Sequence, residues 1–359
     1  MRRALGKGAL AALGLCVWVA APASAQQDRV PWGTIEAPGA RALAAAAPQA
    51  AIGCSPDSGA CDPVFGPIAG ASLATGGCGL RNRGDCGFDI TNVRGPASVA
   101  ILVWAVILGG DVTSPSDPKI STVALSHNEF GVGLTGTLIG SGGSPCWGGG
   151  PIAVYYAAVP LSIINSTTSP TPGNGHYQVF VTPGGSGVTT GEDPWSGTVI
   201  YPLFEGAGLI IVGPGTGTVY GWGGSLFSGF TVFGGSIDYL LGIPTAPTPG
   251  AVANLVSMVA DGQIGTGAYT ASAGLAVKST AINGVTVAGA GSPILPGSIL
   301  NGDTAAPLPR LFDVAEIDIG TMGAFANPSS TPGFPASMAF HVEAGTDCLT
   351  LMAHALEIH

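Results

Sequence analysis

From about Ile90 to its end the chain is a succession of short apolar runs, and almost every gap between them holds Gly, Pro, Asn or Asp. Combinations such as Pro-Gly, Asn-Gly and Gly-Gly punctuate a chain with turns. No long amphipathic helical stretch interleaves with the runs, which argues against a parallel α/β sheet. Many short strands at this spacing point to an all-β fold, an antiparallel β-sandwich or jelly roll.

The clearest strand is Ser98–Leu108, nearly all apolar, rich in β-branched residues and closed by Gly109-Gly110-Asp111. Such a run reads as a buried strand, with a helix as the alternative. Further strands are expected at 121–125, 132–139, 152–159, 177–182, 199–204, 207–212, 216–222 and 227–233. After these come 255–260, 269–278, 284–288, 315–319, 337–343 and 348–354. The Pro-rich stretch Gly242–Gly250 is the best internal boundary, dividing a first β part (90–241) from a second (251–359). No fixed-period repeat is present, which argues against a propeller or solenoid. An outer-membrane barrel is disfavoured, because most runs are shorter than the ~9–11 residues a spanning strand needs.

The first 25 residues differ from the rest. Arg2, Arg3 and Lys7 precede a mostly apolar stretch from Gly8 to Ala21, then Pro22 and the small residues Ala23-Ser24-Ala25. This is the pattern of a cleavable secretory signal. The apolar stretch is too short for a membrane span of ~20 residues, and Leu15 is bulky for the position before a lipidated cysteine at Cys16. The mature chain is expected outside the reducing cytoplasm, extracellular or periplasmic, with no membrane span. An Ala- and Pro-rich linker or flexible arm (26–51) follows, then a Gly-, Cys- and Asp-rich segment (52–89) with few large apolar side chains. Such a segment needs covalent staples.

Removing the signal leaves eight basic against 21 acidic residues. A chain this acidic does not bind nucleic acid or anionic membrane through charge. Only 9% of residues are charged, yet 46% are hydrophobic, so the bulk of the chain folds rather than remaining disordered. Six cysteines remain, an even number that suggests three disulfides in an exported protein. Cys54 and Cys61 bracket a turn, Cys78 and Cys86 bracket a Gly- and Arg-rich loop, and Cys146 and Cys348 are left to pair. Zinc is the alternative, but the spacings lack C-x-x-C pairs.

No catalytic signature emerges. Ser141 and Ser225 lack the G-x-S-x-G frame, although a triad with His127, His176 or His341 is defined in space rather than in sequence. His127 and Glu129 can share a strand face toward a ligand, with a solvated turn as the plainer reading; His176 reads as a turn residue. His354 and His359 lie five apart. Asp313, Glu316 and Asp318 cluster as candidate carboxylates for glycoside hydrolysis, Glu316 and Asp318 on one strand face. Asp111, Asp117, Asp261, Asp303 and Asp347 lie in or beside Gly- or Pro-rich turns, where calcium can be held by oxygen ligands. No other cofactor is indicated. Trp195, following Glu192-Asp193-Pro194, reads as an exposed platform for a sugar or a partner surface, with Glu192 and Asp193 beside it; Trp147 and Trp222 are either similar platforms or core. The leading expectation is a binding, structural or adhesive module that takes a glycan or surface protein. The alternative is a secreted hydrolase of a polysaccharide or ester.

Signal cleavage is directly checkable. The intact mass of protein recovered outside the cytoplasm should correspond to a chain starting at Gln26. Recovery of exported protein that still carries Met1–Ala25 is incompatible with this reading.

Overall fold

The computed structural model describes residues 60–61, 64–80, 84–128, 130–143, 150–166, 171–181, 201–223, 231–233, 236–260, 279–283, 285–288, 312–325, 329–331, 334–343 and 348–359. The described chain is nearly all β, as the turn-punctuated pattern implies. Its first elements are β1 (Ala60–Cys61), β2 (Phe65–Gly79), β3 (Asp85–Ile90), β4 (Val99–Ile107), α1 (Pro118–Ser121), β5 (Thr122–His127), β6 (Phe130–Thr135) and β7 (Thr137–Gly143). There follow β8 (Pro151–Ala158), α2 (Leu161–Ile164), β9 (Gly175–Val181), β10 (Leu203–Gly223), β11 (Thr231–Phe233), β12 (Ser236–Ile243) and β13 (Ala253–Ala260). The last are β14 (Ser279–Ile282), β15 (Val285–Ala288), β16 (Phe312–Asp318), β17 (Ser329–Thr331), β18 (Phe334–Glu343) and β19 (Cys348–Ile358).

These strands form three sheets. The largest runs β16-β13-β19-β10-β4-β8-β7, with β2 paired to β10 and β11 to β19. A four-stranded sheet runs β3-β9-β5-β6, and a six-stranded one runs β1-β12-β18-β14-β15 with β17 on β18. Pairing is antiparallel except between β1 and β12. The Pro-rich stretch carries the chain from β12, in the six-stranded sheet, to β13 in the largest one.

The largest sheet is buried on both faces, and this explains the continuous apolar run of β4. Its residues Ala100, Leu102, Trp104 and Val106 face the four-stranded sheet, packing with Val123, Leu125, Tyr177 and Val179. Its alternate residues Val99, Ile101, Val103, Ala105 and Ile107 face the opposite way. There they join Val256, Met258, Phe312 and Ala355, which come from the far end of the same sheet. The sheet is therefore folded over on itself, β16-β13-β19 lying across the leaf made by β2, β4, β8 and the first half of β10. A third core, with Leu255, Leu356, Tyr220, Met338 and Phe340, joins the outer side of that second leaf to the six-stranded sheet.

β10 passes through both leaves. Its first half pairs with β4 and its second half with β19, while β2 follows it along nearly its whole length. Register shifts at Pro214/Gly217 and beyond interrupt the β2 ladder. Side chains alternate faces along a strand, yet Ile210 and Val212 share the inner core with Val219, at an odd spacing. The irregularity at 214–217 supplies the parity change. It keeps the inner face apolar while the outer face passes from Leu209 and Ile211 to Tyr220 and Trp222.

Three expectations are corrected. The Gly-rich segment 65–79 is an integral 15-residue strand, not a piece held by staples alone. The run 132–139 is two strands, β6 and β7, in different sheets, with Gly136 between them. The runs at 199–204, 207–212 and 216–222 resolve from Leu203 onward into the single strand β10. The Cys78–Cys86 disulfide is present, joining the end of β2 to β3 with Cα atoms 5.8 Å apart. Closing so short a loop is worth ~2–3 kcal/mol in the chain-entropy picture. Cys54 and Cys146 lie outside the described residues, so the other two pairings do too.

Gly136 shows why glycines sit in these strands. A Cβ there would lie 2.3 Å from the Trp104 ring. Trp104 is fully buried, stacks on Tyr155 at 5.5 Å and donates its indole N–H to the Ile120 carbonyl at 3.0 Å. Gly136→Ala should destabilise the protein by ~1–3 kcal/mol through overpacking. Gly133→Ala, where nothing lies within 4 Å, should stay within ~0.5 kcal/mol of the parent. Equal costs in denaturant titrations would refute the account.

Candidate functional site

Where the two leaves of the folded sheet part, a cleft of about 430 Å3 opens. Its first wall is Ser72 and Leu73 on β2 with Asn92 and Arg94 on the loop from β3 to β4. The second wall comes from β13, β16 and β19: Asn254, Val256, Glu316, Asp318 and Glu357, with His359 beyond the strand end. Strand register lines these up. Asn254 stands opposite Asp318 on one side and Glu357 on the other, a row spanning ~10 Å at ordinary strand spacing. Val256, opposite Glu316 and Ala355, belongs to the inner apolar core and forms the floor. The cleft is thus the mouth of that core, where apolar pairs give way to polar ones.

Two of its carboxylates reach across to the other leaf. Glu316 accepts a hydrogen bond from the Thr75 hydroxyl at 2.7 Å. Glu357, mostly buried, accepts one from the Leu73 backbone N–H at 3.1 Å and lies 3.2 Å from His359 Nε2. Asp318 turns to its own loop: the Thr321 N–H donates to it at 2.9 Å. That bond, with further ones from Thr321 and Gly320, holds its carboxyl below the usual range and keeps it ionised.

The first wall is equally fixed. Asn174 brackets Val93, accepting from its N–H at 2.9 Å and donating to its carbonyl at 2.7 Å. Asn165 does the same for Ala97, at 2.7 and 2.9 Å. Gly95 lies under Pro214, whose carbonyl accepts from the Ser72 hydroxyl at 2.9 Å. Arg94 is held between these pins and makes no ion pair with a described residue.

The structure sorts the other candidates. Glu316 and Asp318 share the cleft face as the alternation implies, whereas Asp313 points to the opposite side of β16 and is buried. His354 and His359 are separated likewise, the first in the core and the second at the cleft. His127 is no solvated turn residue. It is fully buried, stacked on Tyr177 at 4.3 Å, with Nδ1 2.9 Å from the Ile163 carbonyl and Nε2 3.1 Å from that of Asn174. His176 lies on β9, not in a turn, and pairs with Asp89 at 2.9 Å. Ser141, His341 and the pair His127 and His176 lie in three different sheets. Trp222 is core, at 1% exposure.

Of the aspartates considered for calcium, Asp111 pairs with Lys119, and Asp117 caps α1 by accepting from the Lys119 N–H at 2.9 Å. Among the described residues no group of three or more His, Cys, Asp or Glu is placed to hold a metal ion. Glu129, Trp147, Glu192, Asp193, Trp195, Ser225, Asp261, Asp303 and Asp347 lie outside the described residues.

Sequence reasoning passed over Arg94, Asn92, Asn254 and Glu357, which lie singly in unremarkable text. No protein-family model matches the chain, and no curated protein does. Two solved structures show a distant likeness. One is a peptide-N(4)-(N-acetyl-β-D-glucosaminyl) asparagine amidase, 9% identical, with 80% of this chain and 96% of that chain covered and a TM-score of 0.24. The other is a BuGH86 variant in complex with neoagarooctaose, 12% identical, covering 82% of this chain and 34% of that one, with a TM-score of 0.23. At these scores neither bears on the cleft.

Directly behind the cleft wall, on the outer face of β13 and β19, lies a pair the sequence did not announce. The fully buried Ser257 hydroxyl is 2.8 Å from His354 Nδ1. Burial pushes the His354 imidazole down to about 3, with the Val256 backbone pulling weakly the other way. The ring is neutral when folded and basic when unfolded, so between pH ~6.5 and 3 the unfolded chain binds the extra proton. Its contribution is present above pH ~6.5 and is lost as the pH falls, to an extent of up to about 5 kcal/mol. Acid titrations of stability should show the parent losing at least ~2 kcal/mol more over this window than His354→Met. Parallel curves for the two proteins would contradict this assignment.

Proposed function

We propose that this is an exported binding protein and that the cleft between the leaves is its ligand site. One observation carries the reading: the cleft's polar groups are held in place before any ligand arrives. Glu316 and Glu357 are bonded across it, and the Arg94 loop is pinned by two asparagines. Fixed polar groups over an apolar floor fit small-ligand sites, whose volumes run ~300–1,000 Å3. Preorganisation lowers the cost of binding. General acid catalysis calls for a carboxyl kept protonated near neutral pH, and Asp318 is displaced in the opposite direction. The outer sheets and the covalent staple make the molecule a rigid carrier for such a site, in keeping with a binding module of the cell exterior.

The test is a screen of soluble oligosaccharides and short peptides by ligand-observed NMR, run beside glycosidase and esterase substrates. Asn254→Trp, which fills the cleft from an exposed position on its wall, should abolish binding while the far-ultraviolet circular dichroism spectrum is unchanged. Binding that survives Asn254→Trp but fails with Trp195→Ala would move the site to the loop around residue 195. Turnover that disappears in Glu316→Gln would replace binding by hydrolysis.

A further inference from the structure

We infer that the cleft takes a zwitterionic ligand, a small molecule carrying a carboxylate at one end and an ammonium group at the other. The inference rests on the cleft being a binding site and adds the chemical class.

The distribution of cations motivates it. The described residues include two Lys or Arg side chains, Arg94 and Lys119. Lys119 is spent on Asp111, and neither lines the cleft. Arg94 is exposed at the cleft wall with no ion-pair partner among the described residues. Its loop is tied on both sides, with both polar backbone groups of Val93 and of Ala97 bonded to asparagine side chains. A planar guanidinium carried on a loop tied this way matches a carboxylate, which it can grip through two parallel N–H donors.

The other wall has the opposite sign. Asp318 is exposed on β16, and its local bonds to Thr321 leave it ionised. Glu316 lies one side-chain step along the same face, with one oxygen engaged by Thr75. An ammonium group placed here gains from both. Ligands of a single sign fare worse. A simple anion attracted by Arg94 faces the carboxylates, and a simple cation drawn to Asp318 faces the guanidinium. Such like-charge encounters give specificity by exclusion. Asn92, on the Arg94 loop, and Asn254, opposite Asp318, supply neutral donors and acceptors on the two walls, suited to a peptide or amide linker. Free amino acids and short peptides with free termini share this chemistry.

The experiment is calorimetric titration of the mature chain, residues 26–359, with glycine, triglycine, N-acetyl-triglycine, triglycinamide and a neutral trisaccharide. Triglycine or glycine should bind, and which of the two binds tighter separates a peptide from a free amino acid. Blocking either terminus should weaken binding at least tenfold. Arg94→Gln should remove the preference for triglycine over triglycinamide, and Asp318→Asn the preference over N-acetyl-triglycine; both positions are exposed and tolerate exchange. If the neutral trisaccharide, or either blocked peptide, binds as tightly as triglycine and Asn254→Trp abolishes it, the cleft remains a binding site and the zwitterion assignment is overturned. If no probe binds in a manner sensitive to Asn254→Trp, both readings fall.

Discussion

Burial of one sheet on both faces is the constraint from which the rest of this structure follows. An antiparallel sheet can leave one face to water, but here β4, β8 and β10 are covered on both. Layers then approach closely on each side, and bulky side chains cannot meet bulky side chains everywhere. The chain answers with glycine opposite aromatic rings. Phe312 lies over Gly77 and Gly206, Phe88 over Gly76, Phe65 over Gly221 and Trp104 over Gly136, each so close that a Cβ would overlap the ring. Many glycines that look like turn residues in the sequence are therefore the flat seats of a tightly layered core. Density of this kind makes single-methyl changes costly.

This explains what could and could not be read in advance. β4 was legible because a strand buried twice has no polar alternation to blur it. β2 was not, because its inward positions are Gly, Ala and Ser, and small residues carry no hydrophobic signal even when they are buried. β10 was read as separate runs because Gly213-Pro-Gly-Thr-Gly217 resembles a turn. In the fold it is an irregular stretch within one strand, and it restores face parity where the sheet passes between leaves. The split at Gly136 was hidden for the converse reason: one glycine in an apolar run is a weak stop signal, yet it marks a change of sheet.

The candidate site was legible only in part. Glu316 and Asp318 could be placed on a common face from their spacing alone. Their partners could not be found, since Thr75 lies 241 residues from Glu316, and the Leu73 amide 284 from Glu357. Long-range pairing through a folded-over sheet leaves no local motif. The same holds for Ser257 and His354, 97 residues apart. A histidine kept neutral by burial is invisible to any count of charge or spacing.

The two cross-leaf bonds also bear on how the cleft works. Were the leaves free to part, Glu316 and Glu357 would lose Thr75 and Leu73, and Val256 would lose its place in the inner core. Exposing even part of that apolar layer costs ~25 cal/mol for each Å2, so widening by a few tens of Å2 already costs about 1 kcal/mol beyond the broken bonds. Hinged closure over a ligand is correspondingly unfavourable. If the cleft binds a ligand as proposed, selectivity would instead come from the fixed spacing of groups on opposite walls, with little rearrangement on binding. For a zwitterion of the kind proposed, a rigid mouth would read the separation of its charges, and a ligand too long or too short to reach both walls would gain from one of them alone.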